Sequence, residues 1–134
     1  MTDEIRTVAE DLLTAIGTGA SADAIAEMFH HDVIFEVPGD DDALPWIGRK
    51  VGLSAVRQFI DESRRLLKPR QFEVRDIVTN GSKAVILGAL ASVVSATDHL
   101  IETQFAIVLT VSDRRISHFL MFEDSFRVSV ATRA

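Results

Sequence analysis

The hydrophobic pattern changes period near residue 70, and that switch constrains the fold more than any other feature of the chain. Before it, apolar residues recur every three or four positions; after it, they alternate. Residues 71–130 therefore read as an unbroken antiparallel β-meander, and residues 3–67 as three amphipathic helices with one strand among them. Helices segregated from an antiparallel sheet must cover one of its faces. The expectation is an α+β fold: a cone-shaped, curled antiparallel sheet with three N-terminal helices packed on its concave face. A length of 134 residues suits one domain over 1–134.

The first helix carries Ile5, Val8, Ala9, Leu12, Leu13 and Ile16 on one stripe, with Thr2 or Asp3 to cap it and Gly17 and Gly19 to end it. Ser21 caps a short second helix bearing Ile25, Met28 and Phe29. His30-His31-Asp32 forms a polar junction, and residues 33–37 form a strand stopped by Pro38-Gly39. An acidic loop, Asp40-Asp41-Asp42, runs through Trp46 and Arg49 to a third helix starting near Gly52 or Leu53. Leu53, Val56, Phe59, Ile60 and Leu67 face inward there, and Lys68-Pro69 breaks the run. Asn80-Gly81, Asp98-His99 and Asp113-Arg114 mark three hairpin turns. The strand over 83–96 is apolar on both faces, which predicts a central position. The last segment, 116–130, begins as a strand and finishes as an irregular tail.

Composition excludes several function classes. The formal charge of −6, with only two Arg-Arg pairs and no longer basic run, argues against nucleic acid. Zero cysteines exclude a disulfide framework, a thiol nucleophile and thiolate metal sites, and suit a reducing cytoplasmic setting. The acidic N-terminus lacks an apolar signal core. The apolar run over 84–94 is too short to span a bilayer. No phosphate loop, nucleophile elbow or zinc-binding His pair at helical spacing occurs, so no cofactor and no metal are expected.

Taken in order, Leu12-Leu13-Thr14-Ala15-Ile16, Met28-Phe29-His30-His31-Asp32-Val33-Ile34-Phe35, Val37-Pro38-Gly39, Gly48-Arg49-Lys50-Val51-Gly52 and Arg115 to Ser125 carry a likeness. The chain resembles the nuclear transport factor 2-like superfamily, also described as SnoaL-like or ketosteroid isomerase-like. That resemblance implies a conical fold with a pocket between sheet and helices, and a homodimer through the outer sheet face, here His118, Leu120 and Phe122. It implies no single activity. The family's isomerase base falls on Val37, its tyrosine oxyanion donor on Leu12, and its aspartic acid donor near Ile107. Enolisation needs a carboxylate base and polar donors, so these apolar residues argue against that mechanism.

On the last strand, Phe119, Met121 and Glu123 share a face by period two. The alignment turns that face inward and expects a cavity lined by Leu12, Val37, Phe59, Leu87, Ile107, Phe119 and Met121. A carboxylate against such walls has a raised pKa and suits acid–base catalysis, so Glu123 is the candidate catalytic residue; the competing reading is a strand-end salt bridge, for instance to Arg49. Trp46 either closes over the mouth and stacks on a ligand or plugs the cone. Arg49 either binds a substrate anion or ties down its own loop. The acidic triplet reads as a solvated loop sooner than a cation site. Two functions follow: a cofactor-independent acid–base enzyme of isomerase, cyclase or hydrolase type acting on a small apolar molecule, or a non-catalytic binder or dimeric scaffold holding a lipid-like or polyketide-like ligand.

Overall fold

The structure, a computed structural model, describes residues 2–133, without the side chains of Thr2 and Asp3, so the cap expected from those two lies outside the described residues. The element order is α1 (Thr2–Gly17), α2 (Ala22–Ala26), β1 (Phe29–Val37), β2 (Gly48–Val51), α3 (Leu53–Leu66), β3 (Leu67–Asn80), β4 (Lys83–Val94), β5 (His99–Ser112), β6 (Arg115–Glu123) and α4 (Ser125–Ala131). The strands form one curled six-stranded sheet in the order β2-β1-β6-β5-β4-β3. All neighbours are antiparallel except β1 and β6, which run parallel. The expected fold class stands, with that one parallel pair and a fourth helix added.

Helices α1 and α3 cover the concave face, α1 over β3–β5 and α3 over β1–β3. Helix α1 ends in a Schellman turn: Gly19 takes φ +80°, Gly19 N donates to the carbonyl of Ile16, and Ala20 N donates to that of Ala15. No basic residue of α1 meets its free carbonyls; Arg64, from the last turn of α3, donates to Ala20 O at 2.6 Å and Ile16 O at 3.3 Å. One guanidinium therefore closes α1 and joins it to α3.

Four local expectations need correction. His30-His31-Asp32 lies inside β1, at an irregularity in the β1–β6 register where His30 Nε2 sits 2.7 Å from the carbonyl of Ser112. The helical run does break ahead of Lys68-Pro69, at Leu66, but the sheet begins earlier than residue 71: Leu67 and Pro69 already belong to β3, an edge strand that tolerates proline. Gly48–Val51 is a strand, not a loop, with Arg49 opposite Glu36. The segment after Glu123 is helix α4, capped by the Asp124 side chain, which accepts from Arg127 N at 3.1 Å.

The turns follow their residues. Gly81 alone has positive φ between Asn80 and Lys83, as a type II′ hairpin needs, whereas Asp113 and Arg114 both have positive φ, as in type I′. Among the described residues no helix is long and apolar enough to cross a membrane.

The densest packing is aromatic. Phe35 and Phe119, register partners on β1 and β6, stack with centroids 4.4 Å apart at 3°. Phe59 from α3 meets both, at 5.2 Å and 6.0 Å, and Trp46 meets Phe59 edge-on at 5.7 Å. Phe119→Ala should lower unfolding free energy in urea by about 3–5 kcal/mol through the cavity it leaves. Phe126→Ala, at a residue 74% exposed, should change it by less than about 0.5 kcal/mol.

Candidate functional site

The residues expected to line a cavity mostly reach the interior, where they pack in one apolar cluster. Leu12, Val37, Ile107, Phe119 and Met121 are buried, and Phe59 packs into the same cluster. The Phe35 and Phe119 rings stack, and Phe59 lies tilted against both. Trp46 is 3% exposed and packs edge-on against Phe59. Leu87 is a correction: it is 39% exposed on the convex face, and Ile86 holds the inward place opposite Ile107. Because β4 is apolar on both faces, its sequence does not reveal which side turns in. Arg49 is exposed on β2 and forms no ion pair with Glu123.

Glu123 is the carboxylate that shares this face with Phe119 and Met121. In the register Phe105 lies opposite Glu123 and Ile107 opposite Met121, so its side chain projects inward with Phe119 and Met121. Position 123 stands at the end of the sheet where β1 also finishes, since Glu36 pairs with Leu120 and Val37 follows one step on. The carboxylate thus lies one strand over and about two residues beyond the family's isomerase base position at Val37. Among the described residues it has no charged partner. Burial alone pushes its pKa up to about 7, because desolvation penalises the ionised form. Such a group is near half-ionised at neutral pH and serves equally as proton donor and acceptor.

The local sequence builds this position with four residues, Phe105, Phe72, Gly88 and Thr103, that were not among the expected site residues. Phe105 faces Glu123 across the β5–β6 ladder, and Phe72 of β3 stacks on Phe105 with centroids 4.9 Å apart at 18°. Gly88 lets the rings lie close, since a Cβ there would come within 2.7 Å of Phe105 Cζ. A glycine inside an otherwise apolar strand was the available sequence signal for that close approach. Thr103, buried on β5, accepts from the N–H of Asp124 at 2.9 Å, at the point where β6 leaves the sheet. Its hydroxyl replaces the ladder partner that the departing strand no longer provides.

The acidic triplet converges, with carboxylate oxygens of Asp40, Asp41 and Asp42 within 4.8 Å of one another. Asp40 is already engaged: it accepts from Ser129 Oγ at 2.6 Å and from Asp42 N at 3.2 Å, and Arg133 lies 3.8 Å away. The Ser129 hydrogen bond, followed by the one from Asp42 N, holds the Asp40 carboxyl below its usual pKa. Asp40 thus clamps the 38–47 loop to α4. On the convex face, His118 Nε2 sits 3.3 Å from Glu36 Oε1, both half-buried.

Two clefts open on the surface. One of about 650 Å³ includes Leu90, Thr103, Glu73, Arg75, Glu102 and Arg127. The other, about 560 Å³, lies between α4 and β5 and includes Leu100, Phe126 and Val130.

A sheet of this order with helices on its concave face and one half-buried, desolvated carboxylate defines a protein class rather than a reaction. The chain belongs to the SnoaL-like domain family, whose model matches residues 9–119. It is similar in fold to an NTF2-like protein from Burkholderia xenovorans LB400, at 19% identity and TM-score 0.88 over 99% of this chain and 98% of that one. An NTF2-like protein of unknown function from Burkholderia pseudomallei K96243 superposes at 16% identity and TM-score 0.85, over 98% of each chain. An M. tuberculosis LEH-like epoxide hydrolase superposes at 16% identity and TM-score 0.74, covering 96% of this chain and 91% of that one. Identities this low establish the shared fold alone. Among curated proteins no sequence matches.

Thr103→Val should destabilise the protein by about 1–3 kcal/mol, because it strands the Asp124 N–H. Thr103→Ser keeps the acceptor and should recover most of that loss in the same denaturation assay.

Proposed function

We propose that this chain acts on a small, largely apolar molecule by cofactor-independent acid–base chemistry, with Glu123 as proton carrier. One observation carries the reading: an inward carboxylate on the concave face, without a charged partner among the described residues, whose pKa burial lifts to about 7. A structural salt bridge would have lowered that pKa. The reactive position is the Glu123 end of the cone, walled by Phe105 and Phe72. Phe119 and Met121 form the floor beneath it. Family membership supports small-molecule binding or isomerase-type chemistry in general terms. The apolar residues Leu12, Val37 and Ile107 separate this chain from the steroid-isomerase mechanism and favour, as the second reading, a binder without turnover.

The convex face supports a homodimer. Phe122 is 47% exposed beside half-buried Leu120 and the His118–Glu36 pair, and Leu87, Val78 and Leu100 extend the exposed apolar area on the same sheet. Covering such a face is the usual reason a soluble sheet carries it. Sedimentation should give a dimer at micromolar concentration, and Phe122→Arg should shift it to monomer; a monomeric wild type would overturn this assembly.

The Glu123 carboxyl resonance should titrate near pH 7, well above the ordinary 4.5. The folded pKa exceeds the unfolded one, so the native state holds the extra proton between those values. This contribution to stability is complete below about pH 4.5 and is lost as pH rises through about 7. Glu123→Gln should flatten that part of the stability–pH curve. It should also abolish turnover of any substrate found while sparing binding. A titration near 4.5 would remove Glu123 from the mechanism; unchanged turnover in the variant would do the same.

A further inference from the structure

We infer that the Glu123 end of the concave face binds a small organic cation, an ammonium group carried on an apolar body. This rests on the reading of Glu123 as the working group and names the ligand class that reading leaves open.

The argument is one of elimination among ligand charges. Glu123 projects inward opposite Phe105, and Phe72 stacks on Phe105 at 4.9 Å. Phe72 is 53% exposed, so part of its surface is open to an incoming group. Two cations at this end of the sheet are already engaged: Arg127 with Asp124 at 3.2 Å, and Arg75 with Glu73 at 3.3 Å. On the opposite face of the same strands an outer cleft holds three carboxylates, Glu73, Glu102 and Asp124, against those two guanidiniums, so this end of the sheet is acidic on both sides. An anionic ligand would be repelled by the Glu123 carboxylate and by that surrounding charge. A purely apolar ligand would desolvate the carboxyl further and leave it unsatisfied. A cationic nitrogen gains a charge-assisted hydrogen bond from the carboxylate and the negative face of an aromatic ring, while its hydrocarbon covers Leu90 and Phe72. The net charge of −6 adds a long-range attraction of the same sign.

The probes are cyclohexylmethylamine, protonated at neutral pH, and cyclohexylmethanol, which has the same hydrocarbon and can still donate a hydrogen bond. Titrated into the wild-type protein at pH 7.5 and followed by NMR, the amine should bind at least about tenfold more tightly than the alcohol. It should perturb Glu123, Phe105 and Phe72, and its charge should move the Glu123 midpoint downward from about 7. Glu123→Gln should erase the amine preference, and Glu102→Gln should retain it. Equal binding of the two probes, preference for the alcohol, or no binding of either would overturn the inference. So would loss of the preference in Glu102→Gln alone, which would place the cation in the outer cleft. The Glu123 midpoint in the free protein separates the two claims. A midpoint near 7 without amine preference rejects only the ligand class, whereas a midpoint near 4.5 rejects the acid–base reading itself.

Discussion

The parallel contact between β1 and β6 is the constraint on which the rest of the structure depends. It sets Phe35 beside Phe119 in register, and the two rings stack at 4.4 Å where neighbouring strands bring side chains closest. Phe59 locks α3 onto that pair, and Trp46 locks the 38–47 loop onto Phe59. Four rings from four separate segments thus fix the helix, the loop and the two central strands at once. The inward carboxylate of Glu123 stands two positions beyond Met121 on the same face, toward the end of the sheet.

That position accounts for the electrostatics. Where the family's isomerase mechanism uses polar groups, Leu12, Val37 and Ile107 are buried among apolar neighbours. A carboxylate placed beside such a surface receives neither counter-charge nor donors, so burial acts on it unopposed. Asp40 shows the opposite case in the same molecule: a serine hydroxyl and a backbone N–H hold its pKa down, and its role is to fasten a loop. Two carboxylates in one molecule, one satisfied and one not, thus shift in opposite directions.

The sheet was legible because period two holds along β5 and along β6 from His118 onward, past the irregularity at Ser117. Ile101, Thr103, Phe105, Ile107, Leu109 and Val111 alternate inward, as do Phe119 and Met121, and Glu123 inherits their phase. The errors arose where the pattern carries no phase or carries the wrong one. In β4 both faces are apolar, so Leu87 was indistinguishable from Ile86. In α4, Phe126, Val128 and Val130 alternate as in a strand, yet the Asp124 cap and the burial of Val128 and Ala131 make it a helix. Helix capping and tertiary burial outweighed β propensity there. The aromatic cluster was illegible for another reason: Phe59 and Trp46 come from segments whose approach to Phe35 only the tertiary fold decides.

Helix α4 makes the working end of the molecule physically different from the aromatic end. Seven residues are too few for a helix to persist alone. It is held instead by three hydroxyls: Thr103 accepts the Asp124 N–H, Ser129 donates to Asp40, and Thr97 donates to the carbonyl of Ala131 at 2.6 Å. Thr103 and Ser129 are the two buried polar residues among those described, and both serve this helix. The surroundings of Glu123 therefore rest on a few tertiary hydrogen bonds, whereas Phe35, Phe59 and Phe119 rest on extensive apolar burial. Segments secured that way open at lower free energy than the core.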